Sequence, residues 1–171
     1  MIGDIITAVR FERVSESDQK AFYELRRSAI RAGCARHYDA SLLEAWTDES
    51  SDSEFQRPLP EHFYFARIGD LNVACGVLDI GTGRIDAMFV SPAYLGRGVG
   101  KSMLKHLIRI AKEHGVEELS LHATLNAVEF YRSQGFRGDE VGTYQSPRGV
   151  TVSCVPMRMY FDQPLQGLSQ R

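Results

Sequence analysis

Between Ile85 and Met103 the chain reads IDAMFVSPAYLGRGVGKSM, and no other segment restricts its fold as tightly. An extended run passes through three alternate glycines, Gly96, Gly98 and Gly100, and a helical pattern starts at once. Glycines at every second position let the backbone approach a ligand closely, while a helix start presents free N–H groups and the positive end of the macrodipole. Such a turn suits a phosphate or pyrophosphate. Two nucleotide signatures fall one residue out of step with it. Gly100-Lys101-Ser102 reads like the end of a Walker A loop, which needs its first glycine where Leu95 stands, and a dinucleotide fingerprint begun at Gly96 needs its third glycine where Lys101 stands. Taken alone, the turn is equally a tight strand-to-helix connection.

The flanking patterns give the turn a setting. Ile5 to Phe11 reads as a first strand, and Ser15 or Ser17 opens an amphipathic helix with Phe22, Leu25, Ala29 and Ile30 on one stripe. A Ser41-x-x-Glu44 capping box followed by Trp46 predicts a second, short helix, and Thr47 to Pro60, rich in Ser, Asp and Glu, predicts an exposed loop. His62–Ile68, Asn72–Asp79 and Arg84–Val90 read as an antiparallel meander with turns at Gly69-Asp70 and Gly81-Thr82-Gly83. The helix after the glycines, Gly98 to His114, carries Val99, Met103, Leu107 and Ala111 on one stripe and stops at Gly115. Leu119 to His122 then makes a strand-helix-strand unit, which is a right-handed parallel crossover. Two further strands are expected near Phe136–Tyr144 and Val150–Tyr160, with a turn at Pro147–Gly149, and residues 163–171 read as a loose tail.

Composition bounds the function. At 171 residues the chain suits a single domain, residues 1–171, able to bury roughly 70% of its unfolded surface. Hydrophobic content of 43% and charged content of 25% are those of a soluble protein, no apolar run approaches a membrane span, and the first residues do not form a signal peptide. Three scattered cysteines, Cys34, Cys75 and Cys154, have no metal spacing and point to a reducing, cytoplasmic setting. A net charge of -2 offers no basic face for nucleic acid or membrane.

A third pattern fits the glycines. Val90, Pro92, Gly98 and Gly100 stand where the acyl-CoA loop of the GNAT superfamily of N-acetyltransferases has its Val-x-Pro strand exit and its Gln/Arg-x-x-Gly-x-Gly/Ala turn, with Leu95 departing at the Gln/Arg position. A second segment, Asn126 to Phe136, reads NAVEFYRSQGF and resembles that family's later motif, which ends Phe-Tyr-x-x-x-Gly-Phe. Physically it is a short helix that Asn126 can cap, with Glu129 reaching back and Gly135 suited to a left-handed end. The two motifs in order make the chain resemble the GNAT superfamily over Phe63 to Met159. Arg31 to Trp46 further resembles the YafP-like subgroup of small bacterial members.

The resemblance implies an α+β, three-layer αβα fold: a mixed, mostly antiparallel sheet of about seven strands, with the parallel crossover at an acetyl-CoA site. It implies an N-acetyltransferase that moves the acetyl group of acetyl-CoA, as co-substrate and with no metal, to a primary amine of a small molecule or peptide by direct attack in a ternary complex. Homodimers are common in the family. Backbone N–H groups from Gly96 to Lys101, with Leu95, Val99 and Ser102 in the same turn, would wrap the pyrophosphate; Arg97 and Lys101 would meet its charge; Met88, Phe89 and Val90 would pair with the pantetheine; and Asn126 would make a polar contact. Tyr131 is placed beside the CoA sulfur, where a phenol with a pKa near about 10 stays protonated and can donate to a departing thiolate.

Asp86 is the candidate base, because strand alternation puts it on one face with Met88 and Val90 and an acidic residue stands at this strand position in several GNAT enzymes. Asp79, Glu61, His37, His62 and His122 remain as alternatives. Tyr38, His37 and Trp46 are candidates for the acceptor pocket, and Asp48, Glu49, Asp52 and Glu54 would favour a cationic amine. A non-catalytic acyl-CoA-binding module and a phosphate-loop nucleotide hydrolase are the competing readings.

Overall fold

A computed structural model describes residues 8–51 and 58–161. Seven strands form one sheet in the order β1-β2-β3-β4-β5-β7-β6: β1 Arg10–Arg13, β2 His62–Ile68, β3 Leu71–Asp79, β4 Arg84–Val90, β5 Glu118–Thr124, β6 Gly142–Gln145 and β7 Thr151–Tyr160. Every neighbouring pair is antiparallel except β4 and β5, which run parallel. Four helices cover it: α1 Gln19–Cys34, α2 Ala40–Trp46, α3 Val99–Glu113 and α4 Val128–Ser133. The result is the mixed, three-layer α+β architecture expected from the sequence.

The layers follow from the apolar patterns. Val99, Met103, Leu107 and Ala111, the stripe on α3, are fully buried and join Leu78, Ile85, Leu119, Leu121 and Met157 in the largest core cluster. The opposite face holds two smaller clusters. Leu25 of α1 packs on Phe63, Phe65, Cys75 and Val77, and Ile30, Cys34 and Trp46 pack on Val152. The strand patterns explain this sharing of one sheet between two helical layers: β3 has six consecutive buried residues, Val73 to Leu78, as a strand covered on both sides must.

Several boundaries differ from the sequence expectation. The first strand is Arg10–Arg13, and Ile5–Thr7 lie outside the described residues, as do Asp52, Glu54 and the 163–171 tail. Ser41 lies inside α2, whose N-cap is Asp39 in extended conformation, so Ser41 and Glu44 form no capping box. Thr47 is buried, because its hydroxyl donates to the Leu43 carbonyl at 2.7 Å and accepts from Arg31 Nε at 2.9 Å; the exposed loop begins after it. The strand expected over Phe136–Tyr144 shrinks to Gly142–Gln145. Phe136 turns into the core, and Arg137 makes a single bridge to Arg158.

Asp86 is the correction that matters for function. The β3–β4 register pairs Val77 with Ala87 and Leu78 with Ile85, which leaves Asp86 as the extra residue of a bulge. Alternation therefore resets there. Ile85 joins Met88 and Val90 in the α3-side core, while Ala87 and Phe89 pack on the α1 side. Asp86 does not share a face with Met88 and Val90.

Candidate active site

The parallel pairing of β4 and β5 consists of one rung, Arg84 with Ser120, supported by a Ser120 N–H to Gly83 carbonyl bond of 2.9 Å. Approach this close needs a glycine. Gly83 has φ +67°, and a Cβ there would lie 2.3 Å from the Glu118 carbonyl oxygen. Beyond that rung the strands part, and the β4 edge from Ile85 to Val90 has no ladder partner on the β5 side. At the split lies a cavity of about 800 Å³, lined by Met88, Leu121 and Tyr131 and by Gly96, Gly98 and Gly100 of the glycine turn. That volume is within the usual range for a small-molecule or cofactor site.

The turn itself is left-handed at two positions, Gly96 (φ +70°) and Gly98 (φ +82°), the second serving as N-cap of α3. A Cβ on Gly100 would sit 3.3 Å from Val90 Cγ2 and 3.6 Å from Phe130 Cζ, so the third glycine is where the helix start presses against the strand exit and α4. Of the cofactor-binding candidates, Met88, Phe89, Val90, Leu95, Gly96, Gly98, Gly100, Lys101, Asn126 and Tyr131 line the cavity. Val99, Arg97 and Ser102 do not. Val99 is a core residue, the Arg97 guanidinium lies over the Tyr94 ring at 5.5 Å, and the Ser102 amide bonds back to Gly98.

Tyr131 is 7% exposed, packs edge-on against Phe130 and Phe136, and is pushed well above the ordinary tyrosine range by burial. Asn126 does not cap α4, a position taken by Ala127. Its Oδ1 instead accepts from the Cys34 thiol at 3.3 Å, a thiol that burial raises to about 11 and so keeps protonated. A Cβ on Gly33 would approach Asn126 Nδ2 to 3.1 Å, so a small residue on α1 makes room for this tie between α1 and the β5–α4 connection. Glu129, offered as the reciprocal cap, pairs with Arg132.

The acceptor-side candidates separate. His37 and Trp46 line the cavity, and Trp46, 2% exposed, also anchors α2 in the core. Tyr38 is not a cavity wall. Its hydroxyl donates to the Ser153 carbonyl at 2.7 Å and accepts from the Leu125 amide at 2.9 Å, tying β7 to the end of β5. Asp86 lines the cavity, is raised by burial and drawn back by Arg84, whose Nε lies 3.1 Å from its Oδ1. Asp79 is spent on its own turn, accepting from the Gly81 amide and the Thr82 hydroxyl. His62 lies away from the cavity, against His114 at 4.8 Å, with Glu61 beside it.

Sequence reasoning missed Tyr144 and Thr124 as lining residues. His122 stacks on Tyr144 with ring centroids 5.6 Å apart, and only the pairing of β6 with β7 and β7 with β5 brings those two together. Among the described residues, no three His, Cys, Asp or Glu side chains gather as a metal centre requires, and no helix is long and apolar enough to cross a membrane.

Residues 20–136 match the sequence model of the acetyltransferase (GNAT) family. The chain belongs to that family. Among its relatives is the uncharacterised N-acetyltransferase YafP of Escherichia coli (strain K12), 27% identical over 109 residues, which are 64% of this chain and 68% of YafP. The 55-residue stretches that match acetyltransferases of Glycine max and Arabidopsis thaliana cover less than a quarter of the length of those proteins. Solved structures share the fold. A GCN5-related N-acetyltransferase of Rhodopseudomonas palustris superposes with a TM-score of 0.80 at 23% identity, over 89% of this chain and 95% of that one. The PaiA N-acetyltransferase of Thermoplasma acidophilum, solved in complex with coenzyme A, gives 0.67 at 18% identity, over 90% of this chain and 99% of that one.

Proposed function

We propose that this GNAT chain is an acetyl-CoA-dependent N-acetyltransferase that acts on a primary amine of a small molecule or peptide, by direct attack within a ternary complex. The observation that carries the reading is the split between β4 and β5, with a left-handed glycine turn and helix start at one end and the buried Tyr131 phenol on its wall. The donor set suits a pyrophosphate thioester: backbone N–H groups of Gly96 to Lys101 for the phosphates, the Lys101 ammonium for charge, and an unpaired strand edge from Met88 to Val90 for an extended amide chain. Bound there, acetyl-CoA supplies an activated acyl group.

The chain's own residues supply the rest. Tyr131, held protonated by burial, donates to the sulfur as it becomes a thiolate. The β4 edge offers N–H groups to polarise the carbonyl. Asp86, ionised beside Arg84, accepts a proton from the amine, and His37 and Trp46 border the acceptor. Three buried thiols without disulfide partners fit a reducing, cytoplasmic compartment.

A thiol-release assay over a panel of amines, run beside calorimetry with acetyl-CoA, CoA and ATP, tests this. Acetyl-CoA should bind, and at least one amine should release CoA above background. Uptake of acetyl-CoA without release under any amine would make the chain a non-catalytic acyl-CoA-binding module; binding of ATP alone would make it a nucleotide protein.

A further inference from the structure

Arg84 occupies the apex of the split, in the one rung that joins β4 to β5. Two residues beyond it on β4 is Asp86, and two beyond Ser120 on β5 is His122, and both line the cavity. The Arg84 side chain touches each. Its Nε lies 3.1 Å from Asp86 Oδ1, and its Nη2 lies 3.4 Å from His122 Nδ1. A guanidinium has no acceptor, so His122 Nδ1 must offer its lone pair and the neutral ring carries its proton on Nε2. The lone pair that would take a proton from an amine is thus already directed at a cation. Asp86, by contrast, gives Arg84 one oxygen and keeps the other.

We propose that Arg84 is a positioning residue that chooses the proton acceptor: it holds Asp86 ionised with Oδ2 available, and it occupies the lone pair through which His122 would compete. This rests on the acetyl-transfer reading and goes beyond it, because the family motifs contain neither Arg84 nor His122. The surrounding charges are few. Asp79 of β3, paired across from Arg84, is engaged by its own turn; Glu118 of β5 is bridged to Arg158 of β7; Tyr144 of β6 covers the His122 ring, with Arg26 of α1 near it; and His37 lies at the end of α1 on the cavity wall. Burial lowers His122, and Arg84 lowers it further while Asp86 opposes; burial raises Asp86, and Arg84 lowers it. Removing the Arg84 charge therefore raises both groups, and the basic form of either is lost at a higher pH.

The test measures kcat/KM for an amine substrate against pH in the wild-type chain, Arg84→Met and Arg84→Lys. In Arg84→Met the acid limb should move to higher pH by about half a unit or more, the size of one unit charge removed from a half-buried contact, with KM for acetyl-CoA unchanged. Arg84→Lys, which keeps a charge, should restore most of the limb's position. In parallel, the imidazole titration of His122 is followed by NMR and assigned with His122→Gln; its midpoint should rise in Arg84→Met. A limb and a midpoint that both stay in place while kcat falls evenly at every pH would make Arg84 a structural strand tie and overturn the inference. Absence of turnover in the wild type would instead sink the transfer reading. The His122 midpoint would then decide the Arg84 contact alone, rising if it holds and unmoved if it does not.

Discussion

The two walls of the split are built from different materials. On the α3 side the contacts available to a ligand are chiefly backbone groups, a left-handed turn and the phenols of Tyr94 and Tyr131, within two short segments, Met88–Lys101 and Asn126–Tyr131. On the α1 side they are side chains: His37, Trp46, Asp86, His122 and Tyr144, drawn from the turn after α1 and from α2, β4, β5 and β6. A wall made of backbone grips what every substrate pair shares. A wall made of side chains from separate parts of the chain can be rewritten one residue at a time, and this is where relatives of one fold can part in what they accept.

The comparison can be broken from either side. The largest effect is expected at Trp46, which serves the acceptor wall and the core together. Trp46→Ala should destabilise the chain by about 3–5 kcal/mol in denaturant titration, and a variant as stable as the wild type would show that α2 is a lid and not a support. Next comes Tyr131→Phe, which removes the proton donor assigned to the departing sulfur. It should lower kcat about a hundredfold while calorimetric acetyl-CoA affinity stays within error; an unchanged kcat removes Tyr131 from the mechanism.

Gly96→Ala sharpens the argument about backbone. A Cβ there meets nothing within 4 Å, so the change acts through the left-handed φ alone and should weaken acetyl-CoA binding roughly tenfold, about 1–2 kcal/mol of conformational strain. Equal affinity would mean the turn does not need its observed conformation to hold the donor.

The smallest effect concerns the α3 layer away from the cavity. His106 stacks on Phe11 at 4.2 Å with its Nε2 buried and unpartnered, and burial with help from Arg109 lowers it to about 4. Its folded pKa lies below the unfolded value of 6.5, so the unfolded chain takes up the proton first. Stability should therefore fall as pH drops from about 6.5 towards about 4, and His106→Gln should flatten that part of the unfolding curve. A slope that persists in the variant would assign the effect to His62 or His122, whose rings are lowered by burial as well.

What could be read from the sequence follows the same division. The bounds of β2, β4 and α3 were legible because short apolar runs, a stripe with every fourth residue apolar and the glycine stops act locally, and the donor-side motifs lie within contiguous stretches. Asp86 was misplaced because a bulge is a property of two strands in register, and nothing in Arg84–Val90 alone reveals which residue is skipped. Asn126 looked like a cap, and its actual partner, Cys34, is 92 residues away. Thr47 belongs to the core only because Arg31 reaches it from the preceding helix. The links from Arg84 to His122 and from His122 to Tyr144 exist only once the sheet is assembled.

One rung between β4 and β5 has a mechanical meaning. The halves β1–β4 and β5–β7 are each laced by continuous ladders, yet across the split they meet through side chains: the α3-side core, such as Leu78 and Ile85 with Leu119 and Leu121, and the Arg84–His122 contact. Apolar contact is not directional and tolerates a small change of spacing, whereas a ladder hydrogen bond does not. The sheet is built like a jaw joined at Arg84 and Ser120, with the open edge of β4 facing whatever is laid there.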